Sequence, residues 1–277
     1  MNTKANEDLN NLYLQFIECL DIDKTTGMLG KISNNRYAGQ KLRFSGYPYV
    51  GSKYYEAKKK ILFVGLDLGI DENREEKTFH SFDSRRECIA GSTKGCVPYN
   101  YNNHISGTYG MALYILKDLY GWNKQWDSLN KIKDTVFISA INQLKSDLPV
   151  DVLDYVALTN IHKFVTECRG CDFRKTKPSC WTEDCIVNER NRSGASNRRW
   201  YNEKDEIKMI MDEIEILNPD IIYFQGSVSP IKEEHLELLN SKFEIWIANH
   251  PSAWNVGANK PSYIGSNRLK VRPVKVL

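Results

Sequence analysis

The sequence has no apolar run that approaches the about 20 consecutive residues of a membrane-spanning helix. It also has no internal repeat, no phosphate-binding loop and no Gly-x-Ser-x-Gly nucleophile elbow, which argues against a small-molecule hydrolase. The first 25 residues lack a signal-peptide pattern and instead have apolar residues at the spacing of an amphipathic helix. We therefore expect a cytoplasmic protein with no membrane contact.

The C-terminal segment lacks acidic residues. Residues 257–277 contain five basic side chains and no Asp or Glu, although the net charge of the whole chain is only +3. Residues 168–204 are also basic, with nine Lys and Arg against five Asp and Glu. Two basic segments indicate contact with a polyanion, because cations that neutralise phosphates release counterions. A surface that is charged only for solubility is the alternative.

Predicted strands alternate with predicted helices along the chain. The strands are the apolar run "ILFVGLDLG" that begins at residue 61, residues 154–164 including the strand exit, residues 221–224 and the alternating residues 245–248. The helices include residues 107–121 and a segment that ends at Leu217. This order predicts an α/β fold, a three-layer sandwich with a central, mostly parallel four-stranded sheet. We expect one domain over residues 1–277, with a basic insertion at about 165–204 and a basic tail at 257–277.

Polar residues follow the four predicted strands. The exits read "GLDLG" with Asp67, "TNIHK" with Asn160, "QGS", and "NHPS" with His250. Ligands of open α/β sheets bind beyond the carboxyl ends of the strands. We therefore expect Asp67, Asn160 and His250 to line one cleft.

These exits resemble the motifs of the uracil-DNA glycosylase superfamily. "GLDLG" is similar to the first motif of that superfamily, written GQDPY or GLNPG in its branches, and "HPSAWN" is similar to its HPSP-type second motif. "TNIHKF" and "LNPDIIYFQGSVS" resemble segments of its iron–sulfur-containing branch. The resemblance runs from about Ile61 to Asn255. It departs from the family pattern at Leu68 and Ala253, where proline is usual.

The resemblance implies roles in cleaving an N-glycosidic bond. The sugar gains positive charge as the base leaves as an anion, so a carboxylate near the sugar and a donor near the base both lower the barrier. By resemblance, Asp67 positions the water and stabilises the cationic sugar, and His250 donates to the base oxygen. Asn160 reads the Watson–Crick edge of a flipped base, since its amide both donates and accepts.

Further residues are assigned to base and DNA contacts. Tyr101 precedes the predicted helix and is a candidate to stack on the base. Ser252 and its turn amides are assigned to a phosphate, Trp254 to the gap left in the base stack, and Lys163 to DNA. The long segment of residues 70–106, rich in Tyr, Asn and His, indicates a larger or more polar pocket than uracil needs, or a surface excursion.

Four of the seven cysteines are close together: Cys168, Cys171, Cys180 and Cys185. In a reducing cytoplasm such spacing indicates a metal site more than disulfides. Zinc suits a small insertion without its own core, whereas the resemblance implies a [4Fe-4S] cluster, which is slightly favoured. The related branch takes its cysteines from two separated segments, and here all four are local.

The sequence thus predicts a hydrolase of N-glycosyl bonds. A monomeric DNA glycosylase would flip out a damaged or modified base, most simply a pyrimidine, and leave an abasic site during DNA repair. One alternative is excision of a hypermodified phage base as antiviral defence. The other is a catalytically silent, metal-stabilised nucleic-acid-binding protein, which the departures at Leu68 and Ala253 motivate.

Overall fold

The protein has an α/β fold in the computed structural model. The structure describes residues 3–19, 21, 42–44, 47–65, 103–130, 151–161, 163–166, 203–226, 228 and 230–248. Most of the cysteine-containing insertion and the whole basic tail lie outside the described residues. Within the described residues, no helix is both long enough and apolar enough to cross a membrane.

Helices and strands alternate through most of the described chain. The α-helices are α1 Thr3–Cys19, α2 Asn103–Tyr120, α3 Asn123–Asn130, α4 Glu203–Leu217 and α5 Glu233–Lys242. The strands are β1 Leu42–Phe44, β2 Tyr49–Val50, β3 Ile61–Gly65, β4 Val156–Asn160, β5 Phe164–Thr166, β6 Ile221–Gln225 and β7 Glu244–Ala248. Short 3-10 helices precede β3 and β4, at Tyr54–Glu56 and Val152–Tyr155.

The main sheet has five strands in the order β2-β4-β3-β6-β7. The four strands predicted from the sequence are all present, and each is parallel to its neighbour among them. The prediction of an α/β fold is confirmed, but the prediction of a four-stranded sheet is wrong. It missed β2, which pairs antiparallel with β4 and makes the sheet mixed. A strand of only two residues gives no readable alternation.

A second, smaller sheet joins β1 to β5. The two strands are antiparallel, with Leu42 opposite Thr166 and Phe44 opposite Phe164. The sequence analysis did not predict this pair. β5 ends at Thr166, two residues before Cys168, so the small sheet holds the chain just before the cysteine segment begins.

The core lies on both faces of the main sheet. Ile61 and Phe63 of β3 contribute to a cluster with α2 and α3, whereas Leu62 and Val64 contribute to a cluster with α1, α4 and α5. Successive strand residues point to opposite faces, so a strand that is covered on both sides is apolar throughout. Each fully buried side chain of this kind contributes about 1.5–3 kcal/mol of transfer free energy. Burial on both faces of the sheet therefore explains the continuous apolar run "ILFVG".

Helix ends explain where the predicted helices stop. Gly121 follows α2 with a φ of 74°, a left-handed conformation that glycine adopts without a steric cost. The next amide, of Trp122, donates to the carbonyl of Lys117 at 2.7 Å and closes the end. Asn218 follows α4 with a φ of 44°, and Pro219 cannot continue the helix. The predicted end of α4 at Leu217 is confirmed.

Candidate functional site

The carboxyl ends of the central strands lie in one row. Gly65 at the end of β3 is paired with Asn160 of β4 on one side and with Gln225 of β6 on the other. Ala248 at the end of β7 is paired with Gln225. Because open α/β sheets bind ligands at this edge, the row is the candidate functional site.

Three positions in the row face the same helical layer. Ile61 and Phe63 belong to the cluster formed with α2 and α3, and Gly65 follows them in the same alternation along β3. Asn160 follows the cluster residues of β4 in this way, and Gln225 follows those of β6. The side chains of Asn160 and Gln225 therefore flank the position at which Gly65 has none.

The amide of Asn160 occupies the space beside Gly65. A β-carbon added to Gly65 would lie 2.3 Å from Asn160 Oδ1, which is closer than real β-carbons approach. Asn160 is 6% exposed, and its side-chain amide makes no hydrogen bond with another described residue. This amide retains its donors and its acceptor for a ligand.

Gln225 connects the row to helix α2. Its Nε2 donates to Thr108 Oγ1 at 2.8 Å, and both side chains are buried. Thr108 lies in the N-terminal part of α2, so this part of the helix lies beside the end of β6. The hydrogen bond holds the Gln225 side chain on the side of Gly65 opposite to Asn160, because breaking it would cost a buried amide one of its partners.

A charged network is buried on the opposite face of β4. Lys163 Nζ donates to Glu213 Oε2 at 2.9 Å and to Thr159 Oγ1 at 2.8 Å, and it lies 5.8 Å from the ring centre of Tyr13. The Tyr13 hydroxyl donates to the same Glu213 oxygen. The Lys163 and Glu213 side chains are both 0% exposed. The network joins α1, α4 and the end of β4.

Tyr13 stays protonated in this network. Burial raises the pKa of Tyr13 well above its usual value, and the charge of Glu213 and the hydrogen bond to it raise the pKa further. A neutral phenol donates to the carboxylate, whereas a phenolate would repel it. Tyr13 also contacts the ring of Tyr47, with ring centres 4.4 Å apart.

The structure describes two of the site residues predicted from the sequence. Asn160 lies at the end of β4, where its motif predicted a strand exit. Lys163 has no exposed side-chain area, so its described position offers the predicted DNA contact no surface. The other predicted residues lie outside the described residues: Asp67, His250, Tyr101, Ser252, Trp254, Cys168, Cys171, Cys180 and Cys185.

Sequence reasoning missed several residues of this region. Glu213 carried a signal, because it interrupts the apolar face of α4 three residues after Ile210 and four before Leu217. Tyr13 likewise lies on the apolar face of α1, four residues after Leu9. Gln225 was part of the strand exit "QGS" but was given no role, and Thr108 gave no local signal, since their contact joins distant parts of the chain.

The described site offers neutral recognition groups. Asn160 supplies an amide that makes no hydrogen bond with another described residue, and Gly65 lets that amide approach the strand closely. Such a site can read the polar edge of a planar heterocycle, because one amide offers both a donor and an acceptor. In the described parts of the chain, no group of three or more His, Cys, Asp and Glu side chains could hold a metal ion.

Neither the models of protein families, nor the curated proteins, nor the solved structures gave a match to this chain.

Proposed function

We propose that the chain is a DNA glycosylase whose active site is the carboxyl edge of the main sheet. It flips a damaged or modified pyrimidine out of DNA and hydrolyses its N-glycosidic bond. Water attacks C1′ of the sugar, the bond from C1′ to the base nitrogen breaks, and the base leaves with the electron pair. The attacking water gives up a proton, which the released base anion takes up through solvent, and an abasic site remains.

The unpaired amide of Asn160 is the observation that carries this proposal. The side chain is almost wholly buried, yet it forms no hydrogen bond with the described residues. Its donors and its acceptor are therefore not used by the described residues. The Watson–Crick edge of an extruded base is a partner of matching size and chemistry.

The strand register supports a role for Asp67 and His250 at the same site. Gly65 and Ala248 lie two strands apart in the row, which corresponds to about 10 Å at the usual spacing of about 4.8 Å. Asp67 follows Gly65 by two residues, and His250 follows Ala248 by two. Two residues of chain reach about 7 Å, so chain length permits both side chains to meet in the row between Gly65 and Ala248.

The proposed roles follow from charge development during cleavage. Asp67 orients the water and stabilises the cationic sugar, while His250 donates to the base oxygen where negative charge accumulates. Tyr101 stacks on the extruded base. Ser252 holds a phosphate through its hydroxyl and turn amides, and Trp254 fills the vacated stack. Lys163 is left out of the DNA contacts, since its ammonium pairs with Glu213.

The cysteine segment and the basic tail complete the proposal. The four thiols of Cys168, Cys171, Cys180 and Cys185 suit tetrahedral zinc or a [4Fe-4S] cluster, with the cluster slightly favoured. Either group would give a small insertion the stability that a core of its own would otherwise supply. The basic side chains around these cysteines and in residues 257–277 would contact the DNA backbone.

A base-release assay tests the proposal. The protein is incubated with DNAs that contain uracil or other modified bases, and with phage DNA that carries hypermodified pyrimidines. Released bases are identified by mass spectrometry, and abasic sites are cleaved with alkali. Release from uracil DNA supports a repair role, whereas release from phage DNA alone supports antiviral defence.

Four variants provide the comparison. Asp67→Asn and His250→Ala should each lower the release rate about 100-fold or more. Asp127→Asn on α3 and His235→Ala on α5 are matched controls, and we expect them to keep the wild-type rate. If the wild type binds modified DNA but releases no base from any substrate, a silent binding protein replaces the glycosylase.

A further inference from the structure

We propose that Lys163 is a positioning residue for base recognition, which holds the end of β4 so that Asn160 faces the base. This inference rests on the recognition role proposed for Asn160. In this role the buried ammonium of Lys163 restrains a strand. It does not contact DNA, and it does more than fill space in the core.

Bonds on both sides of Asn160 restrain its backbone. Before it, the Thr159 hydroxyl accepts a hydrogen bond from Lys163 Nζ at 2.8 Å, which closes the chain from Thr159 to Lys163 into a short loop. After it, the Ile161 amide donates to the Gly65 carbonyl at 2.9 Å and extends the ladder beyond β4. Asn160 lies between these two restraints.

The network acts from the face of β4 that is opposite to the base. The Thr159 side chain points toward α1 and α4, because it follows Ala157 in the alternation of the strand. Asn160, the next residue, points toward α2. A change in backbone direction at Thr159 would therefore turn the Asn160 amide away from its position beside Gly65.

Glu213 fixes the ammonium that provides this restraint. Its Oε2 atom binds Lys163 Nζ at 2.9 Å and also accepts from the Tyr13 hydroxyl. Oε1 of the same carboxylate is buried without a hydrogen-bond partner among the described residues. A buried ion pair with an unsatisfied oxygen is weak support for stability, since apolar residues of similar volume often stabilise more. A gain in geometric specificity explains why the pair is present.

Two sets of variants separate positioning from stability. Thr159→Val removes the hydroxyl that Lys163 binds, which also hydrogen-bonds with Tyr13, and it keeps the ion pair with Glu213. The all-apolar variant Tyr13→Phe/Lys163→Met/Glu213→Leu removes the whole network and leaves no unpaired charge. Tyr54→Phe is the matched control, because Tyr54 is also fully buried beside α4 and donates to the Leu217 carbonyl at 3.3 Å.

Amide hydrogen exchange gives a readout that does not depend on catalysis. Relative to the amides of Val64 and Phe224, the Ile161 amide should exchange about tenfold faster in Thr159→Val, the size expected for one lost hydrogen bond. The all-apolar variant should show the same local increase, and Tyr54→Phe should show none. Equal changes at all three amides would assign Lys163 a merely structural role and overturn the proposal.

Base release then tests whether the position of the Asn160 amide affects recognition of the base. At matched folded fractions, both network variants should lower kcat/KM for the released base about tenfold or more and reduce the preference for it over thymine. Wild-type values together with faster Ile161 exchange would overturn the recognition step. If the wild type releases no base, the proposed function fails, while the exchange data still decide whether Lys163 restrains β4.

Discussion

Asn160 and Gly65 are fitted to each other across neighbouring strands. The side-chain oxygen of Asn160 lies only 2.3 Å from the position of a β-carbon on Gly65, and their backbones are paired in register. Glycine is therefore required at the end of β3 for a reason other than turn formation. The missing side chain makes room for the amide that we propose reads the base.

Gly65→Ala should displace this amide. Overpacking of this kind costs about 1–3 kcal/mol of the free energy of unfolding. We expect a larger effect on base release, about 100-fold, because small misplacements of recognition groups reduce rates by that order. Urea denaturation measures the first quantity and single-turnover release of the base measures the second.

Gly51→Ala is the matched control for this substitution. A β-carbon on Gly51 would lie 2.3 Å from the Asp154 carbonyl oxygen, near the amino end of β4. It should lower stability at least as much, because this β-carbon meets backbone atoms, and it should leave base release per folded molecule unchanged. Equal losses of release in both variants would contradict a specific role for the space beside Gly65.

Asn160→Ala should separate stability from function. Because the amide has no hydrogen-bond partner among the described residues, its removal should lower the free energy of unfolding by no more than about 1 kcal/mol. Base release should nevertheless fall by about 10- to 100-fold. Thermal unfolding and release assays check the two expectations. A stability loss above about 2 kcal/mol would show that the amide has a structural partner.

Thr108→Val should loosen helix α2 from the row of strand ends. The substitution keeps the shape of the side chain but removes the hydroxyl that Gln225 Nε2 binds at 2.8 Å. We expect a loss of about 1–3 kcal/mol, since a buried amide group loses a partner. A double-mutant cycle with Gln225→Leu should give a coupling energy of about 1 kcal/mol. Additive effects would contradict the contact.

Tyr55 should make the fold sensitive to strong alkali. Burial, with a smaller effect from the charge of Asp8, raises the pKa of Tyr55 from 10.0 to about 12. Its contribution to stability is fully present below pH 10, because both states are then protonated. It is lost as pH rises from 10 toward 12, where only the unfolded state ionises freely. Denaturation of Tyr55→Phe should show a shallower fall over this range.

The cysteine segment should bind metal in a purified sample. We expect about four iron atoms with inorganic sulfide and a brown colour, or about one zinc in a colourless protein. Cys168→Ser should abolish the stoichiometric metal and lower the melting temperature. Cys19→Ser is the control, because Cys19 is an exposed residue of α1 outside the segment. An anaerobic preparation without stoichiometric metal would contradict the prediction.

The parallel strands were predictable because their signals are local. Apolar runs such as "ILFVG" and "IIYFQ" are buried on both faces, so nearly every residue in them is hydrophobic. The strand β2 was not predictable, because two residues cannot show a period. Its pairing depends on the Gly51 amide and the Val156 carbonyl, 2.9 Å apart, which join segments distant in sequence.

The candidate site residues were likewise predictable only where their signal is local in the sequence. Asn160 was identified from the motif at a strand exit, and the structure describes it at the end of β4. Burial of Lys163 was not predicted, since lysine is rarely buried without a partner. Thr159 is a local partner, but the ion-pair partner Glu213 on α4 and the ring of Tyr13 on α1 are distant in sequence. The burial of a charge depends on tertiary partners that no local pattern encodes.

The strand order also has a consequence for synthesis on the ribosome. β3 is at the centre of the main sheet, but β4 and β6, its two neighbours, are translated much later. At about 5–20 residues per second, the nascent apolar strand waits several seconds for a pairing partner. We expect chaperones to bind this segment cotranslationally until β6 emerges from the exit tunnel.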